Sequence, residues 1–599
     1  MARRWSSTKC RNSVRTAIAS ACCRDWRLAG IRGWTAATPT APRVPSRCWT
    51  CMVAPGPARR RCGLPTRRQP RCCRRDGRVP GAAFGGGRRF PARGVDMNSS
   101  PREVGAAGES APRRQTSMAT HYLRYSTTNI LVLLAGFVSF PILTRLLDNH
   151  QYGILGYYDT WGMIAIAVAK LGSQHAIIRF YPYVGVRREM VSFGTNLVVL
   201  PMLLSMLLWA VFAASLFGYA RVSGVEFLLV LWCVVIITPV QVVNSMIQMV
   251  VRASERSDII MATRIIGRWL ELGLVLGAVV FLQRSALAVY GGKIVAAVLL
   301  LCYFVHWARR NLHFSRDAVD FTHMRQGMSY GLPLMANEMV ALVLVAVDRI
   351  MLKQMTGDFA AVGIYTIGYS LATQINVFLN ASLSEAFAPV VNRVYDSGGD
   401  VAVRALKDRV LLPMTYASFA IATMLILVGE DAMIALAGPD KAASGAVFVV
   451  VGTTLALFPL INISSYGLLL RKRSMMVFSI TAFAAAFNVA INLVLIPRYG
   501  YMGAAWSTAA SYAVLCVACY LWCPRGLARF PDLRTVALST GSALALFAVA
   551  RGTDMFGVHA PWPRLFAAGC LFVLLYALPI WLLDPRLRVA LRQWRKGAA

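Results

Sequence analysis

The chain has 599 residues, of which 57% are hydrophobic and 15% charged, and its mean hydropathy is +0.53. This composition is too apolar for an ordinary soluble protein and favours a protein with many membrane helices. The formal net charge is +36, but residues 118–599 carry only 38 basic against 22 acidic side chains. Because most of that remaining excess lies in short loops, the charge is weak support for nucleic-acid binding, and we predict no nucleic-acid partner.

The first 117 residues differ from the rest of the chain. They carry 25 Lys and Arg against 5 Asp and Glu, and they hold 8 of the 14 cysteines without any apolar periodicity. Such a segment has too little apolar surface to fold alone. The favoured interpretation is a translation start placed too far upstream, with the actual start at Met97 or Met118. A disordered basic tail on an anionic membrane surface, an organellar transit peptide and a nucleic-acid-binding arm are the alternatives.

From residue 125 onward the chain is a succession of fourteen apolar runs, each close to the ~20 residues that a helix needs to cross a bilayer. The runs lack the alternation of a barrel strand, so they predict helices. We therefore predict an all-α polytopic membrane protein with about fourteen transmembrane helices. The predicted spans are 125–147, 155–178, 196–218, 227–250, 259–282, 286–307, 331–352, 362–388, 410–429, 443–470, 476–496, 502–522, 535–550 and 565–583.

Basic residues alternate between the two sides of these spans. One set of alternate loops and the tail after Asp584 carries 24 Lys and Arg, whereas the opposite set carries 8. Cytoplasmic loops of membrane proteins are enriched in Lys and Arg. We therefore predict a multi-pass protein of the bacterial inner membrane with both termini in the cytoplasm.

Ten charged side chains lie inside the predicted spans. Each costs at least about 3 kcal/mol at the bilayer centre unless it faces water or a partner. The cations are Lys170, Arg264, Arg268, Lys293 and Arg349, and the acids are Asp159, Glu271, Glu338, Asp348 and Glu385. Because these charges cost free energy inside a membrane, they are the first candidates for functional residues.

The spacing of these charges predicts polar helix faces. Arg264, Arg268 and Glu271 stand at i, i+4 and i+7, which is one stripe of a helix. Asp159 and Lys170 are eleven residues apart, as are Glu338 and Arg349, and eleven steps of ~100° return almost to the starting direction. Gln374 and Glu385 repeat the same interval.

Two interpretations of these faces remain open. In the first, the charges form interhelical ion pairs or extend to the membrane surfaces. In the second, they line a water-filled cavity in which Arg268, Lys170, Lys293, Arg349 and Arg264 bind an anionic substrate, since guanidinium groups pair well with phosphate oxygens. The acids Glu271, Glu338, Asp348, Asp159 and Glu385 would then bind a coupling proton or Na⁺, or pair with the cations. We predict no catalytic residue, no metal site and no cofactor other than an ion gradient.

The chain also repeats itself. Ser257 is followed by Glu271 fourteen positions later, and Ser474 is followed by Asn488 at the same interval; each serine comes after a basic turn. Six spans followed by six more in the same orientation predict parallel repeats with a site at their interface. The predicted parts are an N-terminal lobe over 118–330, a C-terminal lobe over 331–523, and two further helices with a cytoplasmic tail over 524–599.

Three motifs resemble those of the polysaccharide flippases, the O-antigen and exopolysaccharide exporters of the multidrug/oligosaccharidyl-lipid/polysaccharide superfamily. FVSFPILTRLLDNHQYGILGYYDT runs from Phe137 and leads into KLGSQHAIIRFYP. VDRIMLKQMTGDFAAVGIYTIGYSLA runs from Val347, and NVAINLVLIPRYGYMGAAWSTAASY runs from Asn488. The resemblance covers residues 121 to about 525. It implies a two-lobed bundle that moves an undecaprenyl-diphosphate-linked oligosaccharide to the periplasmic leaflet by ion-coupled alternating access. A polysaccharide polymerase and a chain-length regulator are candidate partners, beside the lipid-linked substrate and membrane lipids.

Two other functions compete with this one. A drug or metabolite antiporter of the same superfamily would favour an acidic, aromatic-lined cavity, which the five intramembrane cations disfavour. A membrane polysaccharide polymerase would be expected to carry a large periplasmic loop, whereas the loops here are short. We therefore expect a transporter and not an enzyme.

Overall fold

The computed structural model describes residues 118–182, 187–223, 228–553 and 560–590; the side chains of 118–130, 187 and 380–386 are not described. The basic segment over 1–117, about which the sequence left four interpretations open, lies outside these residues. Within the described part of the chain all regular structure is helical. The predicted all-α class is therefore confirmed.

The first part of the described chain forms eight α-helices. A π-helical turn at Gly194–Val199 joins the fourth of these to the fifth, so that α4 and α5 run on as one element. The helices are α1 (Met118–Leu146), α2 (Asn149–Ala169), α3 (Ser173–Arg179), α4 (Arg187–Phe193), α5 (Leu200–Ser223), α6 (Leu229–Ala253), α7 (Ser257–Phe281) and α8 (Ala286–Asn311).

Nine more helices follow. The two longest contain a glycine with non-helical backbone angles, Gly399 in α11 and Gly500 in α14, so each bends there. The helices are α9 (Phe321–Thr356), α10 (Phe359–Asn376), α11 (Ser382–Ala437), α12 (Ala443–Ser465), α13 (Gly467–Leu470), α14 (Ser474–Trp522), α15 (Leu533–Gly552), α16 (Pro561–Phe572) and α17 (Leu578–Leu583). Because α9 begins at Phe321, ahead of the lobe boundary predicted at 331, the division into lobes stays a prediction.

Every one of the fourteen predicted spans overlaps a helical segment, but the number of crossings is not settled by this. Within the described residues, nine helices are long and apolar enough to cross a membrane, or ten if the bent pair α2–α3 counts as one span. Helix α14 counts once although it contains two predicted spans on either side of Gly500. The count of fourteen therefore stays a prediction, while the multi-pass character is clear.

Helix α2 packs along both α9 and α10, and so joins the first eight helices to those that follow. Its contact with α10 is very close. A Cβ on Gly363 would lie 1.8 Å from the carbonyl oxygen of Asn149, and a Cβ on Gly153 would lie 1.8 Å from that of Phe359. Any other residue at either position would force the two helices apart. A single apolar cluster, including Tyr152, Leu352 and Tyr365, extends through this contact.

Candidate functional site

A cavity of about 900 Å³ lies between the first eight helices and α9–α10. Its wall is built by α1, α2, α6, α7 and α8 on one side and by α9 and α10 on the other. A volume of this size suits a ligand rather than a few water molecules. Six of the ten predicted site residues line it, namely Asp159, Arg264, Arg268, Glu271, Lys293 and Arg349.

The lining carries four cations and two carboxylates, which is a formal excess of two positive charges. Both acids are paired with a neighbouring cation inside the cavity. An anion that enters the cavity would therefore meet net positive charge, and a cleft lined by one sign of charge attracts ions of the opposite sign.

The Lys293 ammonium is held tightly by Asp159. Its Nζ lies 2.8 Å from both carboxylate oxygens, and the buried Tyr290 hydroxyl donates to Oδ1 of the same carboxylate at 2.7 Å. The ammonium also lies 5.0 Å from the centre of the Tyr290 ring. Because α2 supplies the acid and α8 the two donors, this cluster fixes the distance between those helices as well as the position of the charge.

The Arg268 guanidinium is held more loosely. Its closest approach to Glu271 is 3.4 Å, between neighbours three residues apart on α7, and both side chains are about one-third exposed. Arg264 lies one turn earlier on the same face. The predicted stripe of α7 therefore faces the cavity, and Arg268 is held less tightly by its acid than Lys293 is.

Arg349 comes from α9, on the opposite wall. Its guanidinium carbon lies 4.5 Å from the ring centre of Tyr369 and 5.8 Å from that of Tyr365. Guanidinium groups stack favourably on aromatic faces, so these rings hold the side chain in place while it lines the cavity. Only 7% of Arg349 is exposed.

Asp348 is the chain neighbour of Arg349 but is fully buried and faces the other way. Its Oδ2 accepts hydrogen bonds from the Tyr365 hydroxyl at 2.6 Å and from Thr508 at 2.7 Å, and its Oδ1 accepts one from the Asn492 amide at 2.7 Å. Asn488 and Ser507 extend this network on α14. The donors that meet the carboxylate are all neutral, so its charge is solvated by dipoles rather than by an ion pair.

Lys170 and Glu338 lie outside the cavity lining and pair with each other instead. Lys170 Nζ is 3.2 Å from Glu338 Oε1, the Gln174 amide donates to Oε2 at 2.7 Å, and His175 Nε2 is 3.7 Å from the same oxygen. Because α2 ends at Ala169 and Leu171 has a φ of 51°, Lys170 does not share the cavity face of Asp159 as the eleven-residue interval predicted. Glu338 and Arg349 are also eleven residues apart, on α9. Of these two residues, only Arg349 lines the cavity.

The side chain of Glu385 lies outside the described residues, so its predicted role stays a prediction. Among the residues whose side chains are described, no group of three or more His, Cys, Asp or Glu could hold a metal ion.

Several uncharged polar residues of the cavity do not follow from the spacing of the charged residues. They include Gln241 and Gln248 on α6 and Ser370 and Thr373 on α10, whereas Gln374, which the spacing had placed on a polar face, also lines the cavity. The interval of seven between the two glutamines of α6 is the sequence signal that would have placed them on one face.

Comparison with known proteins agrees with this architecture. The fold resembles that of the lipid II flippase MurJ in an inward closed conformation, with a TM-score of 0.63 at 9% identity over 77% of this chain and 98% of that one. It also resembles an inward-facing multidrug resistance MATE transporter of the MOP superfamily, with a TM-score of 0.51 at 14% identity over 70% of this chain and 99% of that one. The protein thus has the fold of the multidrug/oligosaccharidyl-lipid/polysaccharide transporters.

The amino-acid sequence also matches a family model. Residues 121–394 match the family model of the polysaccharide biosynthesis proteins. Over these residues the chain is similar to the polysaccharide biosynthesis proteins, and the resemblance read from its motifs is confirmed. None of the curated protein sequences matches it.

Proposed function

We propose that the protein is a flippase that moves an undecaprenyl-diphosphate-linked oligosaccharide across the bacterial inner membrane for polysaccharide biosynthesis. The observation that carries this proposal is the cavity between α2, α7 and α8 on one side and α9–α10 on the other, with its excess of two positive charges. A diphosphate is the anionic group that such a lining would hold, with Arg268 and Arg264 on one wall and Arg349 on the other.

The substrate enters from the cytoplasmic side in this proposal. The excess of Lys and Arg on one set of loops supports that orientation, with both termini in the cytoplasm. The glycan would emerge at the opposite face, where a polysaccharide polymerase and a chain-length regulator would act on it.

Two contacts between the first eight helices and the helices that follow them would serve as gates in alternating access. At the predicted periplasmic end, α2 meets α10 at Gly153 and Gly363, and Arg145 of α1 donates to the carbonyl oxygens of Ala435 and Leu436 at 2.9 and 3.2 Å. These carbonyls belong to the last turn of α11, whose unpaired acceptors favour a cation. Arg145 would therefore close this end in one state and be released in the other.

At the predicted cytoplasmic end, the second gate is the pair Lys170 and Glu338. Close by, the backbones of Gly172 and Gly331 touch, since a Cβ on Gly331 would lie 2.4 Å from the carbonyl oxygen of Gly172. The bend of 50° between α2 and α3 lies at the same place. A break in a helix that ends at an ion pair is a suitable hinge, because a few backbone angles can absorb the movement.

Asp348 is the group proposed to bind the coupling cation, either a proton or Na⁺. It is a fully buried carboxylate whose partners are a tyrosine, a threonine and an asparagine, all of which can reorient when the carboxylate is neutralised. Since Asp348 and Arg349 are adjacent on α9, cation binding at Asp348 can alter the position of the Arg349 side chain.

A cationic-drug antiporter would need the opposite charge in its cavity, so the lining disfavours that alternative. The test of the proposed function is deletion of the gene, followed by mass analysis of the lipid fraction and complementation. We expect lipid-linked oligosaccharide to accumulate with its glycan on the cytoplasmic leaflet, and the intact gene to reverse this. Normal export in the deletion strain, or accumulation of a lipid without glycan, would contradict the proposal.

A further inference from the structure

Uncharged polar residues line the cavity beside the charged ones. Three glutamines are among them, Gln241 and Gln248 from α6 and Gln374 from α10. All three are half-buried, and each carries an amide that can donate two hydrogen bonds and accept others. They come from both sides of the cavity, so a ligand bound in the cavity could contact all of them.

The two glutamines of α6 are held towards the cavity by a residue between them. They are seven positions apart, which is two turns, and therefore lie on one face. Asn244 lies on the same face and donates its amide to the Ala297 carbonyl oxygen of α8 at 3.0 Å. Because this bond fixes the rotation of α6 against α8, both glutamines remain on the wall of the cavity.

The Gln374 amide lies in the space that a side chain at Gly136 would fill. A Cβ on Gly136 of α1 would lie 3.0 Å from both the oxygen and the nitrogen of the Gln374 amide. The amide therefore rests against the backbone of α1, where another side chain would displace it. This position is next to Val132, which also lines the cavity.

Among the residues whose side chains are described, these three amides have no hydrogen-bond partner, whereas two glutamines outside the cavity do. Gln151 accepts from the Ala286 amide at 2.9 Å, and Gln174 donates to Glu338 at 2.7 Å. An amide inside a membrane protein is costly unless it is paired or faces a wet cavity, so three unpaired amides in one cavity are placed to bind a ligand with many neutral polar groups.

We propose that Gln241, Gln248 and Gln374 form a sugar subsite, which binds hydroxyl or acetamido groups of the glycan while the charged wall binds the diphosphate. The proposal rests on the proposed function and adds the residues that distinguish a glycan-bearing lipid from the bare lipid. Amides suit sugars because they supply donors and acceptors together without the strong desolvation cost of a charge.

The experiment measures binding of two lipids to the full-length protein in nanodiscs. The probes are undecaprenyl diphosphate and the lipid-linked oligosaccharide that accumulates in the deletion strain. We expect the unaltered protein to bind the glycan-bearing lipid more tightly. The double substitution Gln241→Leu with Gln248→Leu, and separately Gln374→Leu, should weaken binding of that lipid about tenfold through lost hydrogen bonds. Binding of undecaprenyl diphosphate should stay unchanged.

Gln354→Leu is the matched control, because Gln354 is an exposed glutamine of α9 outside the cavity lining, and its loss should affect neither lipid. Should the double variant not fold, each single substitution is measured in its place. The inference is overturned if the leucine variants bind both lipids as the unaltered protein does, if they lose both lipids equally, or if the unaltered protein does not distinguish the two. Failure of the unaltered protein to bind either lipid would instead overturn the proposed function, and the subsite with it.

Discussion

Replacing Gly363 by alanine tests the proposed periplasmic gate directly. The added Cβ would lie 1.8 Å from the carbonyl oxygen of Asn149, and Cβ atoms essentially never approach closer than 3.0 Å, so α2 and α10 must move apart by about 1.2 Å. A methyl group has no rotamer that avoids the contact. Overpacking of this kind costs about 1–3 kcal/mol, and that cost falls only on the state in which the two helices touch.

A bias of that size shifts the balance between the two states by roughly 5- to 150-fold towards the open one. The assay is hydrogen-exchange mass spectrometry of the protein in nanodiscs, with the amides at the beginnings of α2 and α10 as the readout. We expect both segments to exchange faster in the Gly363→Ala variant, by a factor in that range.

Gly273→Ala on α7 is the matched control. A Cβ there meets nothing within 4 Å, so the variant should exchange as the unaltered protein does. Unchanged exchange at both helix starts in the Gly363→Ala variant, or the same change in both variants, would refute the assignment of this contact as a gate.

Three further predictions concern the other gate, the coupling site and the membrane boundary. Glu338→Lys should abolish transport by placing two cations together, and adding Lys170→Glu should restore it; a charge swap that stays inactive in the export assay would contradict the gate. Asp348→Asn should abolish the dependence of transport on an imposed proton or Na⁺ gradient, and a variant that still responds to the gradient in proteoliposomes would exclude this residue as the coupling site. Arg586→Ala should lower the melting temperature near neutral pH but not at acidic pH. Arg586 hydrogen-bonds Asp532 and lowers its pKa. Burial raises the pKa of Asp584, but bonds from Arg586 and Tyr416 outweigh this and leave that pKa lowered as well. Carboxyl groups with a lowered pKa stabilise the fold at neutral pH, and that stabilisation is lost as the pH falls through their folded-state pKa. A destabilisation that persists at low pH in a thermal scan would contradict this explanation.

Where a helix is unbroken, the spacing of its charged residues agrees with the face that lines the cavity. Helix α7 runs without interruption from Ser257 to Phe281, so Arg264, Arg268 and Glu271 face one way, as their spacing predicted. The same arithmetic failed for Lys170 because α2 ends one residue before it and the chain turns at Leu171 and Gly172. Gly172, with a φ of 70°, is a local signal for that break, but Leu171 beside it is a residue that rarely adopts a positive φ.

Contacts between distant helices could not be read from the sequence. Asp348 and Arg349 are adjacent, and only the packing of α9 between α10 and α14 determines that one enters a buried network and the other lines the cavity. The pairing of Glu338 with Lys170 joins positions 168 residues apart in the chain. Periodicity predicts the face of a helix, but it does not identify the neighbour that covers the face.

The central claim is that the positive cavity carries a lipid-linked diphosphate, and sided transport in proteoliposomes tests it most directly. Lipid-linked oligosaccharide from the deletion strain is added to one leaflet, and its arrival in the other is followed with a membrane-impermeant glycan label. We expect the unaltered protein to move it, Arg268→Gln to lower the rate roughly tenfold to a hundredfold by loss of a charge-assisted hydrogen bond, and Arg310→Gln, an exposed cation at the end of α8, to leave it unchanged. Absence of movement with the unaltered protein, or an undiminished rate with Arg268→Gln, would contradict the account.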